Sequence, residues 1–319
     1  FGAVFAMITT ALISGAIADR VGLGSWVLFS GVWATLVYFP VASWVWGGGW
    51  IMQLGTWLGT PEVIDLAGGT AIHINAGAAA LALAIVAGKR HGFAPGSHKP
   101  HSVPLVTIGA ALLWFGWIGF NAGLSTEVGE AGLILVNTLA APAAAIIGWL
   151  VTDALRGKKP SVIGAASGAV AGLVAITPSA LNLSPMWALL LGLIAGIACA
   201  FAIDLKFRLG YDDSLDVVGL HLVAGLIGSL YLGFFAFDDG LFTGGNGGLL
   251  LVQAIASFSV MIYSFVVSLL IALGVKLVTG LRVPAEVEEA GIDSVAHGEE
   301  AYAFDETEVG ADAEPQLVR

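Results

Sequence analysis

Asp65-Leu-Ala-Gly-Gly-Thr-Ala-Ile-His73-Ile-Asn75-Ala-Gly77 sets an acid, an imidazole and a carboxamide inside an apolar run that extends to about residue 88. A helix rising about 1.5 Å per residue puts His73 roughly 12 Å deeper than Asp65. Ionisable groups inside a membrane span are costly and mark functional positions. Further on, Asp213 and Asp216 are followed by His221-Leu-Val-Ala-Gly225. His73 and His221 therefore share the pattern His-x-x-Ala-Gly, five apolar spans apart. Equivalent positions in two repeats are where transporters place a midplane site, and an odd number of helices inverts the second repeat in the bilayer. Two imidazoles lining a conduction path fit this pattern, and so do two separate hydrogen-bonded core histidines. A metal site needs more ligands, and no Cys or carboxylate stands at a ligand spacing from either histidine.

The rest of the chain supports a membrane setting. Of 319 residues, 57% are hydrophobic and only 11% charged, against about 25% charged in a soluble domain. That composition excludes an ordinary soluble enzyme. Nine apolar segments are readable, at about 1–18, 26–46, 65–88, 102–121, 130–155, 162–178, 185–207, 216–237 and 248–280. Most approach the roughly 20 residues needed to cross a bilayer. Barrel-type alternation is absent and Gly is dense within the segments, so they read as closely packed helices. The fold class is an all-α polytopic membrane protein. Cys199 is the single cysteine and cannot form an intrachain disulfide.

Charge gives the orientation. Arg20, Lys89, Arg90, Lys99, Arg156, Lys158, Lys159, Lys206, Arg208, Lys276 and Arg282 fall at alternate ends of successive spans. The intervening loops carry Glu62, Glu127, Glu130, Asp238 and Asp239 and no base. The positive-inside rule then puts Phe1 outside and the C-terminus in the cytoplasm. A chain entering from outside at its first residue is expected to lack upstream helices. From Pro284 onward, eleven acids stand against one base, so most of the net charge of -11 belongs to the tail. Two regions follow: a transmembrane part over 1–283 and an acidic cytoplasmic tail over 284–319. No basic, nucleic-acid-seeking surface is present.

Aromatic residues form a second signal. Phe1 and Phe5 lie one helical turn apart, Trp44, Trp46 and Trp50 cluster at the outer end of the second span, and Trp114, Phe115, Trp117 and Phe120 crowd the fourth. An interfacial belt explains many such residues. Facing a pore, their π faces attract a small cation. The loop from Lys89 to His101 holds His91, His98 and His101, which read as a solvated cytoplasmic loop rather than a metal site.

Several stretches resemble the ammonium transporter (Amt/Mep/Rh) family. They are Asp65 to Gly77, Phe5-Ala-Met-Ile-Thr-Thr-Ala-Leu-Ile-Ser-Gly-Ala-Ile-Ala-Asp-Arg20, Val45-Trp-Gly-Gly-Gly49, Gly116-Trp-Ile-Gly-Phe-Asn-Ala-Gly123, Val136-Asn-Thr138 and Gly280-Leu-Arg-Val-Pro284. They occur in the family's order over nearly the whole chain. The resemblance implies an eleven-helix fold with inverted five-helix repeats, nine helices of it present here, in a homotrimer at the cell membrane. It implies that His73 and His221 are the paired pore histidines, Phe5 and Phe120 the phenyl gate, and Trp46 a wall of the outer ammonium site with Phe1 beside it. Asp65 corresponds to the buried aspartate that supports that site electrostatically. One position departs: Leu124 stands where the family often has a serine, so either Ser125 substitutes as a cation contact after a local shift or the outer site lacks its hydroxyl and binds more weakly. The tail segment Gly280 to Tyr302 resembles the part regulated by PII signal proteins. The resemblance implies no cofactor or metal, and ammonium or ammonia as cargo. A receptor sensing ammonium through a cytoplasmic partner is the alternative function. An intramembrane enzyme is disfavoured, since no G-x-S-x-G motif surrounds a serine.

Overall fold

A computed structural model describes residues 1–96 and 99–302. Among these residues the chain is helical, with one isolated bridge between Val21 and Arg282. The helices are α1 (Gly2–Ser14), α2 (Leu23–Trp46), α3 (Leu54–Leu58), α4 (Gly69–Ala87), α5 (Val103–Ala122), α6 (Val128–Leu155), α7 (Val162–Ile176), α8 (Pro185–Leu209), α9 (Val218–Phe235), α10 (Gly248–Thr279) and α11 (Ala285–Ala290). All nine apolar segments of the sequence coincide with helices. Seven of these helices are long and apolar enough to cross a membrane. The other two, α1 and α7, are shorter apolar helices of 13 and 15 residues. Asp213 and Asp216 lie in the turn before α9 rather than inside it, because that helix begins only at Val218.

The helix ends follow ordinary capping chemistry. Ser161 accepts the Gly164 N–H at 3.0 Å at the start of α7, and Pro185 opens α8 where its missing N–H costs nothing. Two large buried apolar clusters divide the molecule: one joins α1, α2, α4 and the start of α9 with α10, and the other joins α5 to α9; a third, small cluster joins Leu54 of α3 to Leu232 and Leu249. A polar stripe on α10 faces α4 and α2. There Ser264 donates to the Asn75 carbonyl at 2.7 Å, and Ser268 accepts from Trp33 Nε1 at 2.8 Å.

At the seam between the clusters, α4 crosses α9. A Cβ on Gly77 would stand 2.5 Å from the Leu222 backbone nitrogen, and one on Gly225 would stand 3.2 Å from the Cβ of His73. The glycine four residues after each histidine thus lets the other histidine's helix approach. Both histidines sit in wide, π-type first turns, Gly69–Ile74 and Val218–Leu222; the His73 N–H reaches back five residues to the Gly68 carbonyl.

The end of the bundle that carries the bases is tied together by charge. Arg20 is buried and bonds Gly88 O, Ala16 O, Asp212 O and Ser214 Oγ, joining the ends of α1 and α4 to the turn before α9. Arg90 forks onto both Asp212 carboxylate oxygens at 2.9 Å. The segment after α10 docks here: Arg282 Nη2 meets Glu288 at 2.6 Å, and the His91 N–H donates to the same carboxylate at 2.8 Å. His98 and the tail from residue 303 lie outside the described residues.

Candidate functional site

Asp65 organises the entry to α4. Its Oδ1 accepts the N–H groups of Gly68 and Gly69 at 2.8 and 2.7 Å, and its Oδ2 those of Thr70 and Ala71 at 2.9 and 3.0 Å. One carboxylate thus caps four donors that the helix start leaves unpaired. The loop is gripped from outside as well. Trp46 Nε1 donates to Asp65 O at 2.8 Å, while Gln253 clamps both backbone groups of Ile64 at 2.9 Å.

Eight residues on, the His73 imidazole meets that of His221. Their Nδ1 atoms are 3.1 Å apart and the rings lie 19° from parallel. Both side chains are buried, and His73 Nε2 has no hydrogen-bond partner among the described residues. Trp117 stacks on the His73 ring at 5.4 Å and is itself held by a 2.8 Å bond from Nε1 to Thr177 Oγ1. In the sequence Trp117 is one of four clustered aromatics, with no signal that singles it out.

Toward the end that carries the acidic loops, Phe120 lies 6.2 Å from His73 and 4.6 Å from Phe5. Phe5 touches Trp46 at 5.8 Å and Phe1 edge-on at 5.2 Å. The order Phe1, Phe5 with Trp46, Phe120, His73, His221 is a continuous line of rings. The structure brings together seven of the eight candidate residues in this way, with Asp65 attached through Trp46. Ser125 stands apart: its hydroxyl lies 2.8 Å from Glu127 O and 3.0 Å from Glu130 Oε2, at the start of α6. Leu124 packs instead against the apolar cluster that includes Phe5.

Asp213 precedes His221 by eight residues, the same interval as from Asp65 to His73. That spacing was legible in the sequence once the two histidines were aligned. Asp213 is 1% exposed, and its Oδ2 accepts the Val218 N–H at 2.7 Å, so it too caps the turn that carries its histidine. Its Oδ1 is without a hydrogen bond. Burial pushes the Asp213 carboxyl up to about 6; nearby Asp216 adds to the rise, and the Val218 N–H and Lys206 oppose it. Lys206 bonds Asp213 O at 2.8 Å and Asp216 Oδ1 at 2.6 Å.

Among the described residues no group of three metal-ligating side chains comes together. His91 pairs with Glu289 at 3.2 Å, and His101 lies edge-on to Tyr302.

A bundle of apolar helices in which two helices each bring one imidazole to a buried seam has the architecture of a membrane transport protein. Residues 1–302 match the model of the Ammonium Transporter Family, and the chain belongs to that family. It is 51% identical over 319 residues to an ammonium transporter of Mycobacterium tuberculosis, covering 95% of this chain and 67% of that one. With Amt1 of Archaeoglobus fulgidus the identity is 43%, over 94% of this chain and 76% of the relative. Among solved structures, one titled a sensor Amt protein superposes with a TM-score of 0.84 at 32% identity, covering 93% of this chain and 75% of its own. Mep2 of Candida albicans gives 0.78 at 38%, covering 88% and 64%. The protein is a multi-pass membrane protein, and its function is ammonium transport.

Proposed function

We propose that ammonium is captured at Trp46, Phe1 and Asp65, stripped of water at Phe5 and Phe120, deprotonated, and passed as ammonia along His73 and His221. An isolated charge near the bilayer centre costs several kcal/mol or more, so the ion must be compensated or lose its proton. Trp46 offers a π face to the cation. Asp65 lends its field rather than its lone pairs, because four N–H groups already fill them. Leu124 supplies no hydroxyl there, and Ser125 faces Glu130.

The observation that carries this reading is the 3.1 Å contact between the two Nδ1 atoms. Only one ring donates across it, so the two rings hold opposite tautomers and expose one Nε2 donor and one Nε2 acceptor. That pair can offer ammonia a hydrogen bond of either sense or relay a proton along the path.

In the cell the basic end faces the cytoplasm, in accord with the positive-inside rule, and the protein lies in the plasma membrane as a homotrimer. The acidic segment over 284–302, docked through Glu288 on Arg282, is the surface a PII protein engages. A receptor role is the second reading, favoured by the structural neighbour titled a sensor. Flux separates them: liposomes holding the full-length protein carry ammonium with a pH-dependent rate under the transport reading, and carry none under the receptor reading.

A further inference from the structure

Beside Trp46 and Asp65 lies a cavity of about 550 Å³ that is also lined by Thr56 and Glu62. We propose that Glu62 is the carboxylate by which this protein raises its affinity for ammonium, an electrostatic recruiting residue of the outer cation site. The inference rests on the reading of Trp46 as a wall of that site.

Three observations carry it. First, the site has a deficit of acceptors. Asp65 lines the cavity, but each of its carboxylate oxygens already receives two backbone N–H groups. The hydroxyl expected next to Leu124 belongs to Ser125, which is turned to Glu127 and Glu130. Second, among the described residues Glu62 is the one lining acid besides Asp65, and no Lys or Arg lines the cavity to neutralise it. Third, the carboxylate is held in place. Thr56 Oγ1 donates to its Oε1 at 2.5 Å, and the backbone around Glu62 is pinned by Gly55, where an added Cβ would meet Glu62 Cα at 2.7 Å. Glu62 is exposed, so it remains hydrated and can exchange cations rather than trap one. A fixed negative charge within a Debye length of the capture ring raises the local concentration of a small monovalent cation, and salt screens the effect.

The test is the concentration dependence of ammonium transport in liposomes holding the full-length protein, at low and high salt. Glu62→Gln raises KM about three-fold at low salt with Vmax unchanged, and high salt removes the difference. Glu62→Asp, which keeps the charge, retains most of the affinity, and Glu127→Gln, which does not line the cavity, leaves KM at the parent value. An unchanged KM in Glu62→Gln, an equal shift in Glu127→Gln, a shift that survives high salt, or the same loss in Glu62→Asp overturns the inference. Removal of His73 and His221 is read in Vmax, so failure of the Glu62 effect with the histidine dependence intact removes this inference alone.

Discussion

The Nδ1 atoms of His73 and His221 stand 3.1 Å apart because each histidine is followed, four residues later, by a glycine on which the opposite helix rests. The contact is therefore set by backbone packing. Gly77→Ala puts a methyl 2.5 Å from the Leu222 nitrogen, which cannot move without shifting α9. Overpacking of this kind costs about 1–3 kcal/mol. We expect Gly77→Ala to lower the melting temperature in detergent and abolish most flux. Gly225→Ala, whose nearest contacts are 3.1 and 3.2 Å, should be milder on both counts. Equal effects of the two would detach the histidine geometry from the helix crossing.

Asp65→Asn tests whether the carboxylate is needed as a fourfold acceptor. The amide keeps one oxygen and turns an NH2 toward two backbone donors, where Oδ2 now accepts Thr70 and Ala71. Hydrogen bonds to a charged acceptor contribute about 1.5–3 kcal/mol each. The variant should melt well below the parent and transport poorly, and Asp65→Ala should be worse. Parent-like stability in Asp65→Asn would mean that the four donors find other partners.

Asp213 predicts a pH dependence of stability. Its carboxyl is raised from an ordinary 3.8 to about 6 by burial. Charging it therefore destabilises the folded state: the penalty, about 3 kcal/mol, is full above pH 6 and vanishes below about 3.8. Asp213→Asn removes it while keeping an acceptor for the Val218 N–H. The variant should gain melting temperature at pH 7.5 and gain about half as much at pH 5. A loss at pH 7.5 would show that Lys206 depends on the Asp213 charge.

The docked segment after α10 titrates in the opposite sense. Burial raises the Glu288 carboxyl, but the His91 N–H and the Arg282 guanidinium outweigh it and hold the group below the usual glutamate range. The stability this lends is present above about pH 4.5 and is lost as pH falls through the lowered value. Glu288→Gln at neutral pH should lower the amide protection factors across α11 (Ala285–Ala290) to the values the parent shows once Glu288 is protonated. Unchanged protection would assign the docking to the backbone pairing of Gly22 and Val283 with Leu281 and Arg20.

Much of this was legible in the sequence because polar groups are rare in an apolar chain. His73 and His221 stand inside spans and Asp65 at the head of one, in the loop before α4, where so few other polar groups occur that all three are conspicuous. What escaped was information held in three dimensions. The direction of the Ser125 hydroxyl depends on Glu130 at the start of α6, and the service of Trp117 as a floor for His73 depends on Thr177, 60 residues away. The cap formed by Asp213 needed only the comparison of two eight-residue intervals. The helix α9 begins at Val218, two residues after the apolar segment does, because apolar content continues through the turn.

The central claim is that ammonium gives up its proton and passes the histidine pair as ammonia. The direct measurement is transport by the full-length protein in liposomes, parent against His73→Ala with His221→Ala, under ammonium and potassium gradients. K⁺ matches ammonium in size but has no proton to lose. The account predicts flux with ammonium, none with potassium, and loss of ammonium flux in the double variant. A potassium current equal to the ammonium current, or full ammonium flux without both histidines, would contradict it.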